Sequence, residues 1–493
     1  MNRSKHVPVL ALLAALAPLG CQRVIDALKG LAGGSPAPAA DAAPAANGET
    51  PTTPTDAPPS SVRTRAPSRA TGCPALTDNA ALLPGTEHGG EVRGNETWTL
   101  EDSPHRLPEG VDVSSGATLT IAPCAVVLVG NNNQIRVMDG GGLVAVGDAQ
   151  HPVRFGSNNP QPQPGDWSRV LFSAGARAAS RVSHVIVEHG GSAAYTADAS
   201  DCFSVAMRGL HVDHLTARHC KGFGLGLYEG GSFSIDSGDV TVAEIAAGAT
   251  RSGSVFVQRA PSVASIPPGR YTGNAGDEVF IAEANSDDEH AIRQTATWKN
   301  LGVPYHLNDD ADLRVEGASG PVLTVAAGVT LRMGRNARVV VGALAEGGLV
   351  MDGNAEETRV VLRPAGTDES PGQWVGVQFG ARFNRTASRL RFVTLRGAGA
   401  EGDGDVCDWA GETSDRAFLR FDAEPQPANF EHLTFAAGAP NMAAVARNWR
   451  SATVVDFAAA ATTNDFAQWG TGCKQSPLRN ANGDCPETPP ACQ

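Results

Sequence analysis

Two lines of the sequence repeat one another at a distance of 204 residues: "GATLTIAPCAVVLVG" at 116–130 and "GPVLTVAAGVTLRMG" at 320–334. In both lines apolar residues recur at every second position, and polar residues are accepted between them, as with Thr120 and Arg332. This period predicts short strands with one buried face. The inward-facing residues are expected to be Leu119, Ile121, Val127 and Val129 in the first line and Leu323, Val325, Leu331 and Met333 in the second.

The correspondence continues along the chain in the same order. The matched lines begin at 141 and 347 (GGLVAVG and GGLVMDG), at 164 and 371 (PGDW and PGQW), at 180 and 388 (SRVSHVIVEHGG and SRLRFVTLRGAG), and at 211 and 429 (HVDHLT and NFEHLT). The offset grows from 204 to 218 residues, which indicates insertions at corners between retained strands, as solenoids vary. The middle segment, about 222–300, alternates in the same way, and Trp98 and Trp298 each introduce a copy. The sequence therefore predicts one duplicated body.

The frequent Gly and Pro residues between short apolar segments favour a β-helix. The chain has 56 Gly, 33 Pro and 5% aromatic residues, a composition typical of many short strands and tight corners. A parallel β-helix buries such strands by pairing each with its equivalent one coil later, at a spacing of about 4.8 Å. Gly130 with Gly334, and Asn132 with Asn336, are expected at corners with left-handed backbone. A β-sandwich is the alternative, but few corners have the Asn-Gly or Asp-Gly form of its hairpins.

These residues also resemble a known type of protein. The series "GATLTIAP", "GGLVAVGDAQHPVRFGSNN", "PGDWSRVLF" and "SHVIVEHGG" resembles the right-handed parallel β-helix, pectin-lyase-like repeat regions of exported bacterial lipoproteins and surface proteins, over residues 90–470. The resemblance implies an all-β, right-handed solenoid. It does not specify an activity, because that fold hosts lyases, hydrolases, adhesins and proteins of other kinds. No segment resembles the Arg/Lys pair of pectate lyases or the paired-Asp and Gly-His-Gly motifs of polygalacturonases.

The first residues predict export. "MNRSKH" precedes the apolar run "VPVLALLAALAPLG", which is too short to span a bilayer and well sized for a signal peptide. "LAPLGC" resembles the lipobox of bacterial lipoproteins, which implies cleavage before Cys21, acylation of that cysteine and anchoring in the lipid bilayer. Pro18 and Leu19 depart from the usual lipobox residues. Ordinary secretion after residues 15–17 is the alternative, although Pro18 would hinder that cleavage.

The domain organisation follows from these features. We expect a signal peptide at 1–20, a disordered Pro/Ala-rich tether at 21–72, a first copy with irregular middle coils at 73–300, a second copy at 301–475, and a Cys-containing tail at 476–493. The tether could reach about 100 Å. The predicted location is the bacterial cell envelope, lipid-anchored in the outer membrane and facing the periplasm or the surface. The net charge of −13 argues against a nucleic-acid partner.

Cysteine use agrees with export. Besides Cys21 the chain has eight cysteines, an even number that favours disulfides over metal ligands in an oxidising compartment. Cys124 occupies the place of Gly328, and only in the copy that has Cys73 upstream. Cys202 and Cys220 are about one coil apart, a spacing that a disulfide accepts. The predicted pairs are Cys73–Cys124 and Cys202–Cys220, followed by elimination with Cys407–Cys473 and Cys485–Cys492.

Two acidic loops are the candidate catalytic or calcium sites. "NSDDEH" contains Asp287 and Asp288, and "EGDGDVCDWAGETSD" contains Asp403, Asp405 and Asp408. Convergent carboxylates could serve a glycoside hydrolase, a base could serve a lyase, and alternating oxygen ligands could bind Ca²⁺. Solvated corner loops are the simpler interpretation, and the full calcium-loop pattern is absent. No other cofactor is predicted.

Two further motifs are interpreted as structural. In "HVDHLTARHC", His211 and His214 would point to opposite faces of a regular strand, so no metal site is predicted. Trp167 and Trp374 recur in both copies, which favours packing at a loop base over stacking on a sugar. The leading expectation is a non-catalytic envelope β-helix that binds a polysaccharide or a surface protein, or serves as a structural element. The alternative is a lyase or hydrolase of acidic polysaccharide.

Overall fold

A computed structural model describes Cys73 and residues 84–196, 199–248, 250–282, 290–401, 416–440, 442–449, 455–477 and 484–485. All of them belong to one compact unit that spans residues 68–493. The predicted signal peptide at 1–20, Cys21 and the predicted tether at 21–72 lie outside the described residues.

Within the described ranges, no helix has the length and apolar character needed to cross a membrane.

Short strands make up most of the regular structure. Short 3₁₀ helices lie at Ala260–Ser265, Glu356–Thr358, Pro427–Asn429 and Ala460–Thr462. The strands run in the order β1 (Thr86–Glu87), β2 (Gly90–Val92), β3 (Glu96–Trp98), β4 (His105–Leu107), β5 (Val111–Val113), β6 (Thr118–Ile121), β7 (Val126–Val129), β8 (Ile135–Val137), β9 (Gly142–Val146), β10 (Val153–Ser157), β11 (Val170–Phe172), β12 (Arg181–Glu188), β13 (Ala194–Thr196), β14 (Ala199–Val205), β15 (His211–Arg218), β16 (Phe223–Leu227), β17 (Val240–Ala243), β18 (Gly253–Val257), β19 (Gly269–Arg270), β20 (Val279–Ile281), β21 (Ala291–Ile292), β22 (Ala296–Trp298), β23 (Tyr305–Leu307), β24 (Asp312–Val315), β25 (Val322–Val325), β26 (Thr330–Met333), β27 (Arg338–Val341), β28 (Gly348–Asp352), β29 (Val360–Pro364), β30 (Gly376–Phe379), β31 (Arg389–Arg396), β32 (Ala417–Phe421), β33 (Phe430–Ala436), β34 (Ala443–Arg447), β35 (Asp465–Gln468) and β36 (Cys473–Pro477).

The fold is a parallel β-helix, as the sequence predicts. Each coil contributes three strands, and each strand pairs in parallel with its equivalent one coil later; Leu119 of β6, for example, lies opposite Leu143 of β9. Among the described strands, β13 and β14 form the one antiparallel pair. A β-sandwich would be built from antiparallel neighbours, so that alternative is wrong.

The first copy builds three ladders of strands. The first ladder is β3–β6–β9–β12, and β15 extends it. The second is β1–β4–β7–β10–β12–β15–β17–β19. The third is β2–β5–β8–β11–β14–β16–β18–β20. The long strands β12 and β15 belong to the first ladder with their first halves and to the second with their second halves.

The second copy also builds three ladders, but its ladders do not continue the equivalent ladders of the first copy. Its ladders are β22–β25–β28–β31, then β23–β26–β29–β31–β33–β35, and finally β21–β24–β27–β30–β32–β34–β36. Because β20 pairs with β23, the third ladder of the first copy continues into the second ladder of the second copy. Equivalent faces of the two copies therefore lie on different sides of one body. The predicted boundary at 475 falls inside β36, which ends at Pro477.

The main apolar core runs from Val92 to Trp469. Two smaller buried clusters are separate from it, one with Phe223, Tyr228, Phe256 and Phe280 and one with Ala417, Ala443 and Ala446. The inward positions predicted from the repeat are 0–1% exposed, and Thr120 and Arg332 between them are partly exposed. Leu128 occupies an intervening position, which the period predicts to face water, but it is only 6% exposed. It lies between Arg106 and Gly156 in the ladder, and the aliphatic part of the Arg106 side chain can cover it.

The corners confirm part of the prediction for Gly and Asn. Asn132 and Asn336 are left-handed, with φ of 59° and 57°. Gly130 and Gly334 do not have positive φ; instead, a Cβ atom there would lie 2.9 Å from Pro108 O and 2.4 Å from Asn308 C, respectively. These glycines are required for close approach of neighbouring coils.

Two predicted disulfides are present. Cys73–Cys124 and Cys202–Cys220 have Cα–Cα distances of 5.3 Å and 5.8 Å. Cys124 has a φ of 62° at the corner where the second copy has Gly328 with a φ of 77°. Cys473 and Cys485 are disulfide-bonded as well, and their predicted partners, Cys407 and Cys492, lie outside the described residues.

Candidate functional site

Four histidines mark the corners of β12 and β15. His184, His189, His214 and His219 have φ of 52°, 65°, 51° and 51°, all in the left-handed region that non-glycine residues seldom adopt. His184 and His214 interrupt their strands, so that the residues on both sides of each histidine, such as Val212 and Leu215, can point into the core. The chain turns at these residues from the first ladder to the second.

The first pair of histidines lies between the two ladders. Ser183 pairs with Asp213 and Val185 with Leu215, which places His184 beside His214 on the next coil. The two imidazole rings stack with centroids 4.2 Å apart and planes 9° apart.

This pair and Asp213 form a cluster of metal-ligand type, called the histidine cluster below. One ligand atom from each of His184, Asp213 and His214 lies within 4.8 Å of the others. Asp213 Oδ1 is 3.0 Å from His214 Nδ1, and Ser183 Oγ is 3.1 Å from His184 Nδ1. Asp239 Oδ2 lies 3.7 Å from His214 Nε2. Two imidazoles and a carboxylate are donors that transition metals accept.

The second pair lies at the other end of the same strands. The rings of His189 and His219 stack with centroids 5.4 Å apart, and His219 Nε2 is 3.2 Å from Glu244 Oε2. Burial lowers the pKa of His189; Glu188 opposes this shift, and His219 adds to it. His189 therefore favours the neutral form.

An ion network lies between the two pairs. Glu188, with 5% of its side chain exposed, accepts hydrogen bonds from Arg154 Nε at 3.1 Å and Arg218 Nε at 2.9 Å. Burial alone would raise the pKa of Glu188, but the two guanidinium groups outweigh it and the pKa is lowered. This carboxylate is held ionised and engaged, which does not suit a general acid.

The sequence analysis missed the histidine cluster. It compared His214 with His211, which instead lies 3.2 Å from Asp236, and it assumed a regular strand. The prediction of no metal site considered the residues of one strand alone, whereas His184 comes from the neighbouring coil. The signal was present: "RVSHVIVEH" at 181–189 and "HVDHLTARH" at 211–219 repeat at 30 residues with histidines at the same two places.

The comparison between copies hides this signal. The residues of the second copy at the places of His184, His189 and His219 are Phe392, Gly397 and Ala437, and only His432 matches His214. All four are left-handed, with φ between 50° and 67°. The corner is thus common to both copies, whereas the histidine cluster belongs to the first copy.

The acidic-loop candidates are not placed. Asp287, Asp288, Asp403, Asp405 and Asp408 lie outside the described residues. Their catalytic and calcium-binding roles remain predictions.

The paired tryptophans are packing residues. Trp167 and Trp374 are both 0% exposed, and their indole Nε1 atoms donate to the main-chain oxygens of Glu188 and Arg396, each at 2.8 Å. A buried indole has no face free to stack on a sugar, so that reading of these residues is wrong.

Comparison with known proteins gives no match: neither a protein-family model, nor a curated protein, nor a solved structure matches this chain. The assignment of the fold therefore rests on the observed strand pairing.

Proposed function

We propose that this protein is an exported lipoprotein of the bacterial envelope, anchored through Cys21, whose pectin-lyase-like β-helix binds a glycan or protein ligand along its side without catalysis. The apolar run after "MNRSKH" and the "LAPLGC" segment support export and anchoring. Binding is the part that the described surface supports.

The observation that carries this proposal is the pairing of carboxylates with arginines along the ladders. Glu188 is held by Arg154 and Arg218; Asp312 accepts from Arg338 Nε at 2.6 Å. A glycosidase needs two carboxyl groups that face one bond and remain free to exchange protons. Carboxylates held in this way suit a fixed surface of alternating charge, which is the kind of surface that orients a polar ligand.

The face with the four histidines is the preferred binding side. It carries stacked imidazole rings at both corners of one sheet, with the Glu188 network between them. The flat rings can contact sugar rings, and the partly exposed guanidinium groups of Arg154 and Arg218 can contact uronate carboxylates. Polysaccharide with carboxylate groups is therefore the ligand class that we propose.

The mature, untagged chain tests this on an array of uronate-containing and neutral glycans. We expect retention on uronate polymers that Arg218→Gln weakens and that His432→Asn, at the matching corner of the second copy, leaves unchanged. Equal retention of all three proteins, or none on any glycan, would contradict the proposal.

The absence of catalysis is tested separately. The same protein is incubated with uronate polymers and Ca²⁺, and both unsaturated products and reducing ends are followed. A signal that Asp288→Ala or Asp405→Ala abolishes would establish the enzyme alternative instead. Anchoring is tested by mass spectrometry of the mature N-terminus and by membrane partition of Cys21→Ser.

A further inference from the structure

We propose that the histidine cluster, His184, Asp213 and His214, binds a divalent transition-metal ion of the zinc class. The site lies on the corner between the first and second ladders of the first copy. It goes beyond the proposed glycan binding: the rings of His184 and His214 belong to the same face, but the test below measures metal binding without any glycan.

The spacing of the donors fits a small ion. Donor atoms at 2.0–2.1 Å from a tetrahedral zinc ion lie roughly 3.3 Å from each other. Asp213 Oδ1 and His214 Nδ1 are already 3.0 Å apart, and the largest separation within the cluster is under 4.8 Å. The stacked rings do not yet direct their lone pairs at one point. A bound ion would require rotation of the imidazoles about the Cβ–Cγ bond, and about half of the His214 side chain is exposed.

The donor set selects the metal. Two imidazoles and one carboxylate suit Zn²⁺, Cu²⁺ or Ni²⁺, whereas Ca²⁺ requires six or more oxygen ligands. Three protein donors leave a tetrahedral ion one position for water or an external ligand.

Neighbouring groups orient the rings and attract a cation. Ser183 Oγ contacts His184 Nδ1 at 3.1 Å, in the manner of the outer groups that fix the ring of a metal-ligating histidine. Asp239 lies 3.7 Å from His214 Nε2 and adds a second carboxylate beside the cluster. The carboxylates of Asp213 and Asp239 both lie beside His214 and can attract a cation to the cluster.

A structural role for the stack does not account for the cluster. The second copy keeps the same corner with Phe392 and His432, whose rings stack with centroids 4.3 Å apart and planes 8° apart. Packing at this corner thus needs two flat rings and not two imidazoles. In the second copy the guanidinium of Arg359 also lies 6.0 Å from the Phe392 ring and donates to His432 O at 2.8 Å. A cation would be repelled there, which makes the second copy a matched control.

The test is a zinc titration of the untagged, chelator-treated mature chain by calorimetry near neutral pH. Asparagine is the replacement of choice because it tolerates the left-handed backbone at these corners. We expect His184→Asn, His214→Asn and Asp213→Asn each to weaken zinc binding by about 10-fold or more, since outer partners alone are worth roughly 10–100-fold. His432→Asn and His219→Asn are expected to bind as the unmodified chain does, and Ca²⁺ is expected not to compete.

Two results would overturn the proposal: unchanged zinc binding in His214→Asn, or an equal loss in His432→Asn. Circular dichroism establishes that each variant is folded. Should a variant unfold, the unmodified chain decides the matter through broadening of imidazole proton resonances by sub-stoichiometric Cu²⁺. Selective broadening of the His184 and His214 resonances supports the site, and broadening of all histidines alike refutes it.

Discussion

His184 and His214 stack face to face from adjacent coils, 4.2 Å between ring centroids, and both residues have left-handed backbone. The left-handed residue interrupts the alternation of inward and outward side chains along the strand. One long strand therefore pairs in the first ladder with its first half and in the second ladder with its second half. The same residue turns its side chain outward at the corner, next to its equivalent on the following coil. One backbone feature thus explains both the corner of the coil and the histidine cluster.

The left-handed corner predicts a strict preference among replacements of His214. His214→Val is expected to lower the free energy of unfolding by about 1–2 kcal/mol more than His214→Asn, because a β-branched residue is strained at positive φ. Urea denaturation measures the difference. His211→Val, at the start of the same strand and without positive φ, is the control and is expected to change little. Equal effects of the two His214 variants would show that the corner is not strained.

A buried ion pair predicts a large effect on stability. Asp201 is 0% exposed, lies 3.6 Å from Arg169 Nη1, and accepts hydrogen bonds from Ser204 and Tyr228. Asp201→Ala leaves the buried Arg169 charge without this partner, and we expect a loss of roughly 3–5 kcal/mol in the free energy of unfolding.

The matched control for this pair is Asp112→Ala. Asp112 pairs with Arg136 at the surface, where about a third of its side chain is exposed, and such pairs contribute roughly 0–1 kcal/mol. Urea denaturation compares both variants with the unmodified chain. Similar losses in the two variants would contradict the importance of burial.

Two histidines of the first coils predict a dependence of stability on pH. Burial lowers the pKa of His88 and of His105 below the ordinary 6.5, and for His88 the neighbouring His105 adds to this. His88 Nε2 is 3.0 Å from His105 Nδ1, so only one of these two nitrogens can carry a proton, and His105 Nε2 donates to Thr99 O at 2.8 Å. Below pH 6.5 the unfolded chain binds more protons than the folded chain, so stability falls as the pH falls through this value.

Urea midpoints measured from about pH 8 down to pH 5 check this direction. Carboxylates titrate at lower pH, so His105→Gln isolates the contribution of the pair: its midpoint is expected to fall less steeply between pH 7 and 6. A variant with the same slope as the unmodified chain would assign the acid sensitivity to other groups.

Much of the fold follows from the period of the sequence. A strand with alternating apolar residues such as Leu119 and Ile121 must bury its apolar face against other strands. The repeat provides equivalent strands on the neighbouring coils. The shift in phase between the copies could not be predicted, because it depends on which strand β20 pairs with, and short apolar strands such as Val279–Ile281 fit several partners.

The candidate site was harder to predict for a related reason. A left-handed residue inside a strand changes the pattern of apolar residues at one point only. Here the buried residues Val212 and Leu215 are three positions apart, where regular alternation would give two. Reading "HVDHLT" as a regular strand placed His214 on the wrong side. The stacking of His184 on His214 is a contact between coils, and it becomes visible only once the register of 30 residues is known.

The disulfide beneath the histidine face gives a last prediction. Cys202 and Cys220 are both 0% exposed and close a loop with a sequence separation of 18, and Cys220 directly follows His219. A cross-link of this length restricts the unfolded chain by about 3 kcal/mol. Replacing both cysteines with alanine is expected to lower the free energy of unfolding by that order, measured in urea without reductant. In reductant the unmodified chain is expected to lose a similar amount, whereas the double variant loses only what the other disulfides contribute. A double variant as stable as the unmodified chain would show that the stacked coils hold the corner without the covalent bond.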